Sequence, residues 1–124
     1  MKIINAINTV DALQPNTYEQ SRKVEWLSTL DAMIKREIID THEGGEGCTF
    51  AGYGSGTDIK ETELLATAPH DIIYLRWLEA QIHYHNGEND KYNNAINAFN
   101  TAYAAYRNYY NRTHMPKGNK FQFF

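Results

Sequence analysis

Asp71-Ile72-Ile73-Tyr74-Leu75-Arg76-Trp77-Leu78-Glu79-Ala80-Gln81-Ile82-His83-Tyr84-His85-Asn86-Gly87-Glu88 decides the fold. Ile72, Ile73, Leu75, Trp77, Leu78, Ile82 and Tyr84 leave little of the helical surface polar, and a helix apolar on most sides belongs at the centre of a domain. Pro69 is tolerated in a first helical turn, so the helix is expected to start there. Asp71 adds the negative charge that a helix N-terminus favours. Asn86-Gly87 supplies the stop. A further helix is expected from Asn89 to Arg112. Its residues Tyr92, Ile96, Phe99, Tyr103, Tyr106 and Tyr110 form one stripe at spacings of four and three, and Ala95, Ala98, Ala102, Ala104 and Ala105 permit close approach. So short a connection makes the two helices an antiparallel hairpin.

Upstream, Ile3, Ile4, Ala6, Ile7, Val10 and Leu13 recur at helical spacing and predict a first helix over about 2–13, ended by Pro15-Asn16. Thr17 with Gln20 reads as a capping box that opens a second helix near Tyr18. That helix runs to about Asp40 and buries Val24, Leu27, Ile34 and Ile38 together with Trp26, Leu30 and Met33. Residues 43–58 break the pattern and hold six of the eight glycines, so they read as a loop. Thr49-Phe50-Ala51-Gly52-Tyr53 fits one arm of a short hairpin. The expectation is all-α: a small bundle of about four helices within 1–114, with a glycine-rich loop at 43–62 and an extended tail at 115–124.

The 124 residues make one domain. With 42% hydrophobic and 22% charged residues, the chain is not fully disordered. No apolar run approaches the ~18 residues that span a bilayer, so no membrane partner is expected. The N-terminus lacks the apolar core of a secretory signal. The single Cys48 fits a reducing compartment. Charge is segregated. Residues 1–90 carry seven Lys/Arg and all fifteen Asp/Glu, a balance of −8, whereas 91–124 carry five Lys/Arg and no acid, a balance of +5. Such a chain suits head-to-tail attraction between copies or docking on an acidic partner. Near the end, Phe121 and Phe123 alternate with Gln122 at strand periodicity and Phe124 follows. These rings either fold back onto their own core or dock on a neighbouring chain.

Chemistry-bearing motifs are sparse. Glu79 and His83 share a helix face at i,i+4, but no third metal ligand follows at a recognisable spacing. Gly52-Tyr53-Gly54-Ser55-Gly56 is neither a dinucleotide fingerprint nor a P-loop, and Ser55 lacks the nucleophile-elbow context. Cys48 and His42 sit at a flexible loop, where catalysis lacks rigid positioning. Asn111-Arg112-Thr113 matches a glycosylation sequon. Arg107, Arg112, Lys117 and Lys120 with Tyr106, Tyr109 and Tyr110 resemble a single-strand nucleic-acid strip, yet Tyr106 and Tyr110 already belong to the core stripe. No enzyme and no cofactor is expected. A small helical domain with a glycine loop, segregated charge and a Phe-rich tail has the profile of an assembly component.

Several phrases point together to a family. They are Lys35-Arg36-Glu37-Ile38-Ile39-Asp40-Thr41-His42, then Glu63-Leu64-Leu65-Ala66 running to Ala68-Pro69, and Trp77-Leu78-Glu79-Ala80-Gln81-Ile82 ahead of Asn86-Gly87-Glu88. Lys91-Tyr92-Asn93-Asn94, Phe99-Asn100-x-Ala102-Tyr103 and Tyr110-Asn111-Arg112-Thr113-His114-Met115-Pro116 complete them. Over about 20–118 the chain resembles the head–tail connector, or adaptor, proteins of tailed bacteriophages and of prophages of Gram-positive bacteria. The resemblance implies a non-enzymatic structural protein of the virion neck, assembled in the bacterial cytoplasm, with no catalytic residues. It would form a ring, commonly a dodecamer, of neighbouring copies under the portal protein, extend the channel through which DNA passes, and meet a stopper or tail protein. In that reading the tail, with Met115, Pro116, Lys117, Lys120, Phe121, Phe123 and Phe124, reaches the portal or a neighbour. The loop, with Gly44, Gly45, Phe50, Tyr53 and Gly54, lies at a ring interface or faces the next component, and Arg107 and Arg112 form a basic face. Ordering such segments costs about 1–2 kcal/mol per residue, so assembly is expected to be weak until the portal triggers it. The competing reading is a small helical interaction or regulatory protein, a dimer unrelated to virions.

Overall fold

The structure, a computed structural model, describes residues 1–44 and 49–115. It is all-α: α1 (Ile3–Leu13), α2 (Gln20–Ile34), α3 (Ile72–Asn86) and α4 (Asn89–Thr113), with a π-helical segment, Lys35–Ile39, continuing α2. No strand occurs among the described residues, so Thr49–Tyr53 is no hairpin arm there; one isolated antiparallel bridge joins Lys2 to Glu63.

α3 is the centre of the bundle and packs against α1, α2 and α4, as its all-round apolar surface requires. Ile73, Tyr74, Leu75, Leu78 and Ile82 are buried along it. From α1 come Ile3, Ala6, Ile7 and Val10, from α2 Val24, Leu27, Leu30 and Ile34, and from α4 Phe99, Tyr103 and Tyr106. Each fully buried Leu or Ile stabilises the fold by roughly 1.5–3 kcal/mol. Leu13, expected on the apolar stripe of α1, lies past the core edge and is exposed.

Helix ends depart from the sequence reading in two places. The capping box of Thr17 and Gln20 does not form. Glu19 is the N-cap without a side-chain cap bond, and the Asn16 side chain instead accepts the Tyr18 N–H at 3.1 Å. An Asx turn of this kind competes with a Thr cap for the same entry backbone. Pro69 precedes α3 rather than opening it. Residues 67–71 form a turn, and the helix begins at Ile72. The α3–α4 connection matches expectation. Gly87 adopts φ +76°, its N–H bonds the Tyr84 carbonyl, and the Glu88 N–H bonds the His83 carbonyl. These are the two bonds of a Schellman stop, which needs a left-handed residue.

α1 is capped from a distance. Its Lys2 N-cap offers no side-chain bond, so the Thr62 and Ile59 carbonyls accept the Ile3 and Ile4 N–H groups at 3.1 and 3.0 Å. The Met1 carbonyl in turn accepts the Leu64 N–H at 3.0 Å. The segment after the glycine loop is thereby strapped to the first helix.

Asp31 ties the elements together. It is fully buried on α2, inside an otherwise apolar face. The Tyr53 hydroxyl donates to its Oδ2, the Leu65 N–H to the same oxygen at 3.1 Å, and the Tyr74 hydroxyl to Oδ1 at 2.6 Å. Tyr74 also accepts the Ala66 N–H at 2.7 Å. Burial raises the Asp31 pKa, and the three donors pull against that rise. Burial, with the neighbouring Asp31 charge, keeps the Tyr74 phenol protonated.

Two outcomes follow from this network. Asp31→Ala strands three donors and is expected to cost roughly 3–5 kcal/mol in urea unfolding, more than Tyr74→Phe at about 2 kcal/mol. An acid whose pKa is raised on folding stabilises most below its unfolded value, about 3.9, and loses that contribution as pH rises through its folded value. Unfolding free energy measured from pH 4 upward should therefore contain a declining component that Asp31→Asn removes. An unchanged pH profile in that variant would refute the assignment.

Candidate functional site

The last two turns of α4 carry the site. Tyr106 is buried by the helix stripe, whereas Tyr109 and Tyr110 fall at its margin. Burial, with Tyr110 beside it, pushes the Tyr106 phenol well above its usual range, and Tyr103 rises for burial first and Glu37 second. Both rings therefore remain neutral. Opposite them the π-helical segment delivers His42. The widened turn bonds the Asp40 N–H to the Lys35 carbonyl at 2.9 Å, and the Ile38 carbonyl, unpaired at the helix end, is met by side chains. His42 Nδ1 lies 2.6 Å from that carbonyl and Nε2 lies 2.6 Å from the Asn111 amide of α4. The Ile38 oxygen only accepts, so Nδ1 carries a proton and Nε2 faces Asn111. The Tyr110 ring meets His42 edge-on at 4.9 Å and stacks on His114 at 3.9 Å.

This joint brings Glu43-Gly44 against His114-Met115. The Glu43 N–H donates to the Met115 carbonyl at 2.7 Å. Gly44 follows with φ +91°, and a Cβ there would stand 3.7 Å from the His114 ring. Glu43-Gly44 and His114-Met115 therefore lie side by side, although they are about seventy residues apart in sequence. A pocket of about 250 Å³ lies beside them, lined by Ile39, Leu65, Thr67, Tyr106, Tyr109 and His114 among others. His70 covers Tyr109 and Tyr106 at 4.8 and 5.8 Å.

The residues singled out from sequence are distributed as follows. Met115 is exposed at the joint, and Arg107 and Arg112 are exposed on α4, Arg107 lying 5.1 Å over the Tyr103 ring. Pro116, Lys117, Lys120, Phe121, Phe123, Phe124 and Gly45 lie outside the described residues, as does Cys48. Gly44 lies at the joint, but Phe50, Tyr53 and Gly54 lie elsewhere. Phe50 packs edge-on to Tyr53 at 4.9 Å, and the Tyr53 N–H bonds Ser28 Oγ at 3.0 Å. With its hydroxyl on Asp31, Tyr53 is a strut of the fold. Gly54 and Thr57 close a turn, Gly54 N–H to Thr57 Oγ1 at 2.9 Å and Thr57 N–H to the Gly54 carbonyl at 3.0 Å. The residues grouped as one assembly loop thus form two separate features. Asp31 and the His42–Asn111 contact were missed. A carboxylate four residues after Leu27 and three before Ile34 was the available signal for Asp31. Nothing local pairs His42 with Asn111.

Glu79 and His83 line a groove of about 430 Å³ with Gln14, Arg76, Lys91 and Asn94. Glu79 is bonded by Arg76 at 2.8 Å, and His83 Nδ1 lies 3.0 Å from the Glu88 carboxylate. Among the described residues no three His, Cys, Asp or Glu side chains converge on a metal site. None of the described helices is long and apolar enough to cross a membrane. No protein-family model, curated protein or solved structure matches the chain.

Asn111→Ala removes the partner of a buried imidazole nitrogen and is expected to cost about 1–3 kcal/mol. Amide exchange should quicken at Glu43, the residue that clasps Met115. Unchanged exchange at Glu43 would show that the Glu43–Met115 contact is held independently of His42.

Proposed function

We propose that this chain is a non-enzymatic assembly protein of the head–tail connector, or adaptor, kind, which forms a ring of its own copies under a portal. The observation that carries the reading is the joint of Glu43-Gly44 with His114-Met115. Gly44, at the start of the glycine-rich stretch, and Met115, next in sequence to the Phe- and Lys-bearing 116–124, lie together at the Glu43–Met115 bond, on the helix end that carries exposed Arg112. One small face thereby holds the attachment points of both stretches, which suits a domain that docks by its loop and tail. A rigid bundle behind that face, braced by Asp31, resists distortion when the segments engage. The segregated charge suits a heterologous contact between neighbours, in which one patch meets a different one. DNA passes through such a ring as cargo, and a stopper or tail protein meets its far side. The resemblance in sequence phrases points the same way. On this reading the protein works in a virion neck.

The test is the mass of the purified chain in solution, alone and with the portal protein of the same genome. Conversion to a ring on the portal, lost when 116–124 is removed, supports the reading. A tight dimer that ignores the portal replaces it with an interaction or regulatory module.

A further inference from the structure

Five rings form a continuous strip at the opposite end of the bundle, around the α3–α4 turn. Trp26 and Tyr18 meet at 5.6 Å, Trp26 and His85 at 5.1 Å, His85 and Tyr84 at 5.2 Å, and Tyr84 and Tyr92 at 5.4 Å. Three helices and the entry to α2 contribute, so the strip is a product of the tertiary fold. It faces outward: Tyr84 is 62% exposed, the most exposed large hydrophobic side chain among the described residues. Connected aromatic surface of this kind supplies the anchors of protein interfaces. Carboxylates border it: Glu19 next to Tyr18 in sequence, and Glu88 one turn before Tyr92. Glu88 is held ionised, its pKa lowered to about 2 by His83, Asn86 and Lys91. Arg22 and Lys91 share this end, Lys91 already paired with Glu88 at 3.2 Å.

We infer that this strip is the receptor for segment 116–124 of a neighbouring copy, with phenylalanine rings on the aromatic surface and Lys117 and Lys120 against its acidic border. This rests on the reading of 116–124 as a docking element and names what it docks on. Composition supports the match, since the segment carries Phe121, Phe123, Phe124 and two lysines and no acid. Reach decides between the same copy and another. Tyr92 and His114 are 22 residues apart on or next to α4, about 33 Å along the helix. Six residues beyond Met115 span at most ~22 Å and nine at most ~32 Å. A chain's own segment, even fully straight, brings only its last ring near the strip, and Gly118-Asn119 favours a turn rather than a straight run. A second copy meets no such limit. Because donor and receptor lie at opposite ends of α4, the contact is heterologous and propagates from copy to copy.

The experiment uses the full chain carrying Trp77→Phe, which leaves Trp26 as the only tryptophan, and a peptide of residues 115–124 as probe. Saturable, salt-sensitive change in Trp26 fluorescence, weakened at least about tenfold by Tyr84→Ala with Tyr92→Ala, is the expected result. Complementation gives a second readout. A tail variant (Phe121→Ala, Phe123→Ala, Phe124→Ala) and a strip variant (Tyr84→Ala, Tyr92→Ala) should each stay monomeric. Their equimolar mixture should sediment as a dimer and nothing larger, because each keeps one intact face. Peptide binding indifferent to the strip substitutions, or binding that instead perturbs Tyr106 and Tyr109, overturns the inference. So does a mixture that stays monomeric at concentrations well above the Kd of the peptide. Portal response is scored separately on the wild-type chain. Portal-driven rings formed equally by the strip variant sink the strip and leave the adaptor reading standing. Peptide capture by a chain indifferent to the portal does the reverse.

Discussion

A buried carboxylate holds this bundle in register. Asp31 sits on the face of α2 that packs into the core, where an unpaired charge is among the most destabilising groups a protein contains. It is tolerated because three donors from three other parts of the chain converge on it: Tyr53 from the glycine loop, Leu65 from the strap before α3, and Tyr74 from α3 itself. Such a set has one arrangement that satisfies every member. Sliding α3 along α2 by a turn, or swinging the loop outward, leaves both the acid and its donors unpaired. Apolar packing drives the helices together without fixing their register so sharply. The network converts a generic four-helix cluster into a particular one.

The second constraint acts at the far end of α4. His42 and Asn111 pin the end of the π-helical segment to the last turns of α4, and the Glu43–Met115 bond closes the joint. The Ile38 carbonyl, one of the last at this helix end and without a partner in the helix itself, accepts from Thr41 and His42. The polar ends of the molecule differ, with an aromatic surface edged by carboxylates at the α3–α4 turn and a basic, tyrosine-lined surface at the other end.

Much of the fold was legible in the sequence because helical periodicity is a local signal. The stripe from Tyr92 to Tyr110, the all-round apolar α3 and the Asn86-Gly87 stop depend on neighbours within a few residues, and each appears where the pattern places it. Less of the candidate site was legible. Tyr53 reads locally as a loop aromatic, since only the fold brings its hydroxyl to Asp31. The Thr17–Gln20 box is a valid local motif that loses to Asn16, because two caps compete for one entry geometry.

The sequence by itself determined the all-α character, the four helices, their approximate limits and the antiparallel pairing of the last two. It also determined the segregation of charge along the chain and the concentration of phenylalanine in 116–124. All of these follow from composition or from spacings within a few turns. Only the tertiary structure decided that Asp31 is a hub, that Glu43 and Met115 meet, and that Tyr18, Trp26, His85, Tyr84 and Tyr92 make one surface. The partners of Asp31 lie 22 to 43 positions from it, Trp26 and His85 are 59 apart and Glu43 and Met115 are 72 apart, contacts whose separations follow from no one periodicity. Their geometry is set by how α3 packs among its three neighbours, and no local pattern carries that information.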